Sequence, residues 1–197
     1  MSIKCAYSPL GRDVILHPYE IGTILLEKTV AGTFSVDIKT GFYDIYCIGG
    51  GGGGSNSFGG AGAGIHAHAK LLEGTYTCVV GNAGGGAGAY VRNNNGAAGG
   101  ASSINGISVS ITANGGAGRN GRRNGGGGGT TGTLIYMFEE SNSVIDRTTD
   151  GASTNVSFLD GTTDGAGAGG VAQGNDKGAG YAGKVGYIKI SYYGLTL

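Results

Sequence analysis

The chain has 197 residues, of which 46 are glycine, against a usual glycine share of about 7%; that length is enough for one domain with a sizeable core. Its 13 basic and 13 acidic residues cancel to a net charge of zero, which argues against nucleic-acid binding, because phosphate-binding surfaces carry a clustered basic excess. With 39% hydrophobic residues the chain is not a solvating disordered tail, and no apolar run approaches the roughly 20 residues that span a bilayer, so membrane insertion is not expected.

At the N-terminus, Met1 to Pro9 contains no basic stretch leading into an apolar run, so no secretory signal is read there. Synthesis in a bacterial cytoplasm, with release by lysis or as part of a particle, is the expectation. Cys5, Cys47 and Cys78 are too few and too scattered for a disulfide framework. Cys47 and Cys78 sit in apolar runs and read as buried free thiols.

Composition shifts at Gly49. Residues 1–48 hold four glycines and the remaining 149 hold 42. This divides the chain into an N-terminal β segment, 1–48, read as a candidate attachment region, and a glycine-rich β domain, 49–197, the two compatible with one shared core. Strand patterns are clear. Residues 33–39 alternate strictly with Phe34, Val36 and Ile38 on one face, and 106–112 alternate with Ile107, Val109 and Ile111. Further strands are predicted at 43–48, 65–71, 74–80, 133–138 and 185–193, all rich in β-branched and aromatic residues. No stretch has capped helical periodicity. The fold class is all-β, a β-sandwich or open barrel.

Glycine runs interrupt these strands at 49–54, 59–64, 84–88, 115–118, 125–129 and 165–170. As linkers they would be flexible coil, but they recur within one sheet system. The reading preferred is ordered backbone: extended segments of three residues per turn, polyglycine-II-like, lying side by side because glycine clears the contact. Alanine is the only other residue small enough to share such a lattice. Between the runs lie polar inserts at 90–95, 119–124 and 139–164, which read as loops held on a scaffold, where binding commonly resides.

Catalytic and cofactor motifs are not found. Spacings of the GxGxxG type arise by chance at this glycine content, and none follows a strand and opens a helix. Three histidines, His17, His66 and His68, offer no recognisable triad. The Asx-Gly pairs at Asp150-Gly151, Asp160-Gly161 and Asp164-Gly165 read as turns. No cofactor and no enzymatic activity are expected. His66 and His68 stand two apart on a predicted strand and so point to one face, a geometry that can chelate metal. With Ile65, Ala67, Ala69 and Leu71 on the buried face, they read first as part of a solvated polar face, and no metal site is assigned. An ion held around an oligomer axis is the alternative.

The strand running through Tyr46-Cys47-Ile48 into Gly49–Gly54, the glycine runs broken by polar loops, and the closing strand Gly186-Tyr187-Ile188-Lys189-Ile190 resemble glycine-rich bacteriophage tail proteins, in the manner of the adhesins at the tips of T-even-like tail fibres. The resemblance spans roughly residues 40–193 and implies a glycine sandwich whose loops touch a bacterial surface receptor. By position between glycine runs it implies receptor-binding roles for Tyr90, Arg92, Asn94, Arg119, Arg122, Arg123, Glu139, Glu140, Asp146 and Arg147. Other virion proteins are the implied partners, with a homo-oligomer, a trimer favoured. Residues 1–32 are short for the attachment module of such adhesins. A purely structural virion component (collar, baseplate or head fibre) is therefore the alternative, and an ice-binding protein or a virion-borne lyase are further ones. Ice binding requires a sustained three-residue register, which 49–170 does not show.

Overall fold

A computed structural model of the protein describes residues 17–54, 59–87, 95–118, 131–134, 143–145 and 180–194. They form ten strands: β1 (Ile24–Lys28), β2 (Gly32–Ile38), β3 (Gly41–Ile48), β4 (Gly64–Leu71), β5 (Gly74–Val80), β6 (Ser102–Asn105), β7 (Ser110–Ala113), β8 (Thr131–Leu134), β9 (Ser143–Ile145) and β10 (Tyr187–Gly194). Two five-stranded antiparallel sheets result, ordered β1-β10-β3-β4-β9 and β2-β5-β6-β7-β8. Neither closes on itself, so the architecture is a β-sandwich. Among the described residues there is no helix, and so none long and apolar enough to cross a membrane.

Alternation builds the core. On β4, Ile65, Ala67, Ala69 and Leu71 are all buried while His66, His68 and Lys70 are only half-buried, as the period of a strand with one solvated face requires. Tyr43, Ile45 and Cys47 from β3 and Ile188 and Ile190 from β10 meet Tyr76, Cys78 and Val80 from β5 and Ile104 and Ile111 from the second sheet in one hydrophobic cluster. Strands from both sides of the composition change at Gly49 thus contribute to both sheets and to one core. Cys47 and Cys78 are free and buried, and burial pushes both thiols up to about 12.

Two buried tyrosines satisfy their hydroxyls locally. Tyr43 donates to the Lys39 carbonyl at 2.6 Å and Tyr76 to the Leu72 carbonyl at 2.9 Å, each four residues back at the start of a strand. Burial raises the Tyr43 hydroxyl above its ordinary range.

Four expectations are corrected. The run 106–112 is not one strand: Gly106 N–H donates to the Val109 carbonyl at 2.9 Å, closing a turn between β6 and β7, and Ile107 is 74% exposed. The Asn105-Gly106 pair, a strong turn former, overrides the alternation, although Val109 and Ile111 do face the core. The predicted strand 133–138 starts earlier, as β8 at Thr131, and residues 135–138 lie outside the described ones. Within the expected loop 139–164 lies β9, which pairs with β4 through Gly64↔Ile145 and His66↔Ser143. Strands β1 and β6 were not expected at all; only Leu26 of β1 is buried, so that segment carries no alternation to read.

Candidate functional site

Six strands of the sandwich continue beyond one end as extended, glycine-rich rods. β3 runs on into 49–54, β5 into 81–87 and β7 into 114–118, while 59–63 leads into β4, 95–101 into β6 and 180–186 into β10. Because the strands are antiparallel, rods of opposite direction alternate.

The 49–54 rod is buried throughout and lies at the centre. Its six successive N–H groups donate to three neighbours in strict rotation. Gly49 and Gly52 reach the Ala63 and Gly60 carbonyls, Gly50 and Gly53 reach Gly100 and Ala97, and Gly51 and Gly54 reach Lys184 and Tyr181, all at 2.8–2.9 Å. A partner that recurs every third residue defines a helix of three residues per turn. Two more rods donate inward: Gly84 and Ala87 to the Gly51 and Gly54 carbonyls, and Gly116 to the Gly50 carbonyl. The outer rods also bond one another, through Gly60 to Ala117, Gly99 to Gly116, Ala97 to Gly85 and Gly183 to Gly84. Among the described residues, five rods therefore surround one.

Glycine is required here by contact. A Cβ on Gly50 would land on the Asn82 carbonyl, one on Gly53 on the Gly85 carbonyl, and one on Gly99 on the Gly50 carbonyl. Among the described residues only Gly22, Gly32 and Gly194 have positive φ, so no rod glycine is chosen for a left-handed backbone. The outer rods carry a short register of their own. Gly180, Gly183 and Gly186 recur every third residue while Tyr181 and Lys184 between them are exposed. This register was missed in the sequence because each rod holds only about two turns of it; rods 95–101 and 180–186 therefore went unpredicted.

Ser102 ties lattice to sandwich. Its side chain is fully buried, donates to the Ile48 carbonyl at 2.6 Å and accepts from Gly81 N–H at 2.9 Å. These are the points where β3 and β5 turn into rods.

Tight connections close the sandwich at the opposite end: 39–40, 72–73 and 106–109. At the far end of the lattice the chain leaves the described rods at Ala87, re-enters at Asn95 and leaves again at Gly118. Tyr90, Arg92 and Asn94 belong to the segment joining two rods there, and Arg119, Arg122 and Arg123 follow Gly118. All six, together with Glu139, Glu140, Asp146 and Arg147, lie outside the described residues.

A second constellation sits on the outer face of the first sheet. Asp44 on β3 pairs in register with His68 on β4, and Tyr46 pairs with His66. The Asp44 Oδ1 atom lies 2.5 Å from His66 Nε2 and 3.1 Å from His68 Nε2. One ligand atom from each residue falls within 4.8 Å of the others. Tyr46 stacks on the His66 ring at 4.1 Å with an 8° interplanar angle, and the Tyr193 and His68 rings meet edge to face at 4.9 Å. The expected common face for the two histidines is therefore present. A purely solvated face is not: the side chains of Asp44, His66 and His68 are only 21–24% exposed and converge.

A family model described as "Glycine-rich domain" matches residues 28–194, a span that contains β2 to β10 and all six rods. The chain belongs to this glycine-rich domain family. No curated protein matches it. For this glycine-rich domain, the family match covers sandwich and lattice together and so agrees with their construction as one continuous unit.

Proposed function

We propose that this glycine-rich domain is a bacteriophage virion protein, associated with a tail fibre or baseplate, that presents loops to a receptor on the host surface. The observation that carries the reading is the one-sided construction: tight turns close one end of the sandwich, and a hydrogen-bonded lattice projects from the other, where 88–94 and 119–124 depart with their arginines and asparagines. A lattice anchored in a buried core holds the roots of those segments fixed, so less conformational entropy is lost when a receptor is engaged. The segments can vary in sequence without disturbing the rods, because the central rod is held by main-chain bonds to its neighbours. The work of the protein is recognition by rigid presentation, with other virion proteins and further copies of itself, a trimer favoured, as its partners.

The test replaces 119–124, or in a second variant 89–94, by Gly/Ser segments of equal length in the virion. The reading predicts a loss of host adsorption with the thermal unfolding midpoint of the purified protein unchanged. Normal adsorption by both variants would remove the adhesive role and leave a structural component of the particle.

A further inference from the structure

We propose that Asp44, His66 and His68 form a binding site for a borderline divalent transition metal of the zinc class. Three independent features of the sheet place the ligands. Antiparallel register sets Asp44 directly opposite His68, the two-residue spacing sends both imidazoles to the same face, and both present Nε2 to a single carboxylate oxygen. Zinc binds imidazole nitrogen and carboxylate oxygen at about 2.0–2.2 Å, so tetrahedral donors stand roughly 3.3–3.5 Å apart. The three ligand atoms here, all within 4.8 Å of one another, reach that spacing with small side-chain rotations.

The rings are already held. Stacking of Tyr46 on His66 and the edge contact between Tyr193 and His68 limit their rotation, so little side-chain freedom is lost on binding. Two imidazoles and one carboxylate suit Zn²⁺, Co²⁺ or Ni²⁺, whereas Ca²⁺ and Mg²⁺ take oxygen ligands. Partial exposure of all three side chains leaves the remaining coordination positions facing solvent, open to water or to a ligand from outside. Such a metal joins β3 to β4 beside the point where β4 meets β9. The other described histidine, His17, lies away from the cluster, stacked on Tyr192 at 4.0 Å, and both described thiols are buried.

Calorimetric titration of the full chain, prepared without a polyhistidine tag, with ZnCl₂, and absorption spectroscopy with CoCl₂, test the site. The expected result is one Zn²⁺ per chain, reversed by EDTA, with no comparable binding of Mg²⁺ or Ca²⁺ and a Co²⁺ spectrum without thiolate charge transfer. His66→Ala, His68→Ala and Asp44→Asn each lower the affinity by more than the ~10–100-fold typical of outer-shell changes, while His17→Ala leaves it unchanged. Circular dichroism checks that each variant is folded. Absence of saturable Zn²⁺ binding, or binding that survives all three substitutions, overturns the proposal.

Discussion

At the scale of single residues, the glycines fall into two groups that composition does not separate. Gly53 lies where any side chain would strike a neighbouring carbonyl, whereas a Cβ at Gly85, in an adjacent rod, meets nothing within 4 Å. Gly53→Ala must push two rods apart and break main-chain bonds, at the upper end of the roughly 1–3 kcal/mol that overpacking costs. Gly85→Ala should be neutral or stabilising by up to ~1 kcal/mol, because alanine restricts the unfolded chain. Urea denaturation of the two variants checks the contrast, and equal effects would show that the lattice is not packed as described. The buried acids give a second prediction. Burial pushes the Cys47 and Cys78 thiols from the ordinary 9.0 up to about 12 in the fold, so the unfolded chain loses its protons first. The stability they contribute is complete below pH 9 and is lost as pH rises through 12; Tyr43 and Tyr187, also raised, act in the same direction. Denaturation midpoints should be flat from pH 7 to 9 and fall above it.

At the scale of elements, the question is why a run of six glycines should be ordered at all. Fixing a residue costs about 1–2 kcal/mol in backbone entropy, or ~6–12 kcal/mol for six. The 49–54 rod donates six hydrogen bonds and accepts three, each worth about 1 kcal/mol net, which balances that cost only because neighbours lie all round it. An isolated run would have no such partners and would be coil. The strand-to-rod junction is the other critical element. Ser102→Ala deprives Gly81 N–H of its acceptor and the Ile48 carbonyl of the hydroxyl that donates to it, inside a fully buried site. A loss of about 1–3 kcal/mol is expected, measurable by chemical denaturation. The neighbouring Ser103, half-buried on the same strand, serves as the control and should change little.

At the scale of the molecule, much of the sandwich was legible. The alternation at 33–39, 43–48, 65–71 and 74–80 translates almost directly into β2, β3, β4 and β5, since one-sided burial writes itself into the residue order. The 106–112 pattern misled because an Asn-Gly turn interrupts an otherwise regular alternation. The ordered runs at 49–54, 59–64, 84–87 and 115–118 could be anticipated from their recurrence between strands, while 125–129 and 165–170 lie outside the described residues. The rods 95–101 and 180–186 could not be anticipated, because these outer rods carry glycine at positions three apart, as at Gly96 and Gly99 and at Gly180, Gly183 and Gly186, and leave Tyr181 and Lys184 on the outside. Of the candidate metal ligands, His66 and His68 were visible from their spacing. Asp44 was not, because only the pairing of β3 with β4 brings it opposite. The ten residues assigned to receptor contact rest on their place between glycine runs and lie outside the described residues.

The claim on which this account turns is that the six-glycine rod is a solid member of the fold. Residue-resolved amide hydrogen exchange on the native protein tests it most directly. Gly49 to Gly54, each with a carbonyl partner at 2.8–2.9 Å, should exchange as slowly as Ile45 and Ile190 in the central strands. Exchange of these six amides at the rate of an unstructured peptide, with β3 and β10 still protected, would contradict it.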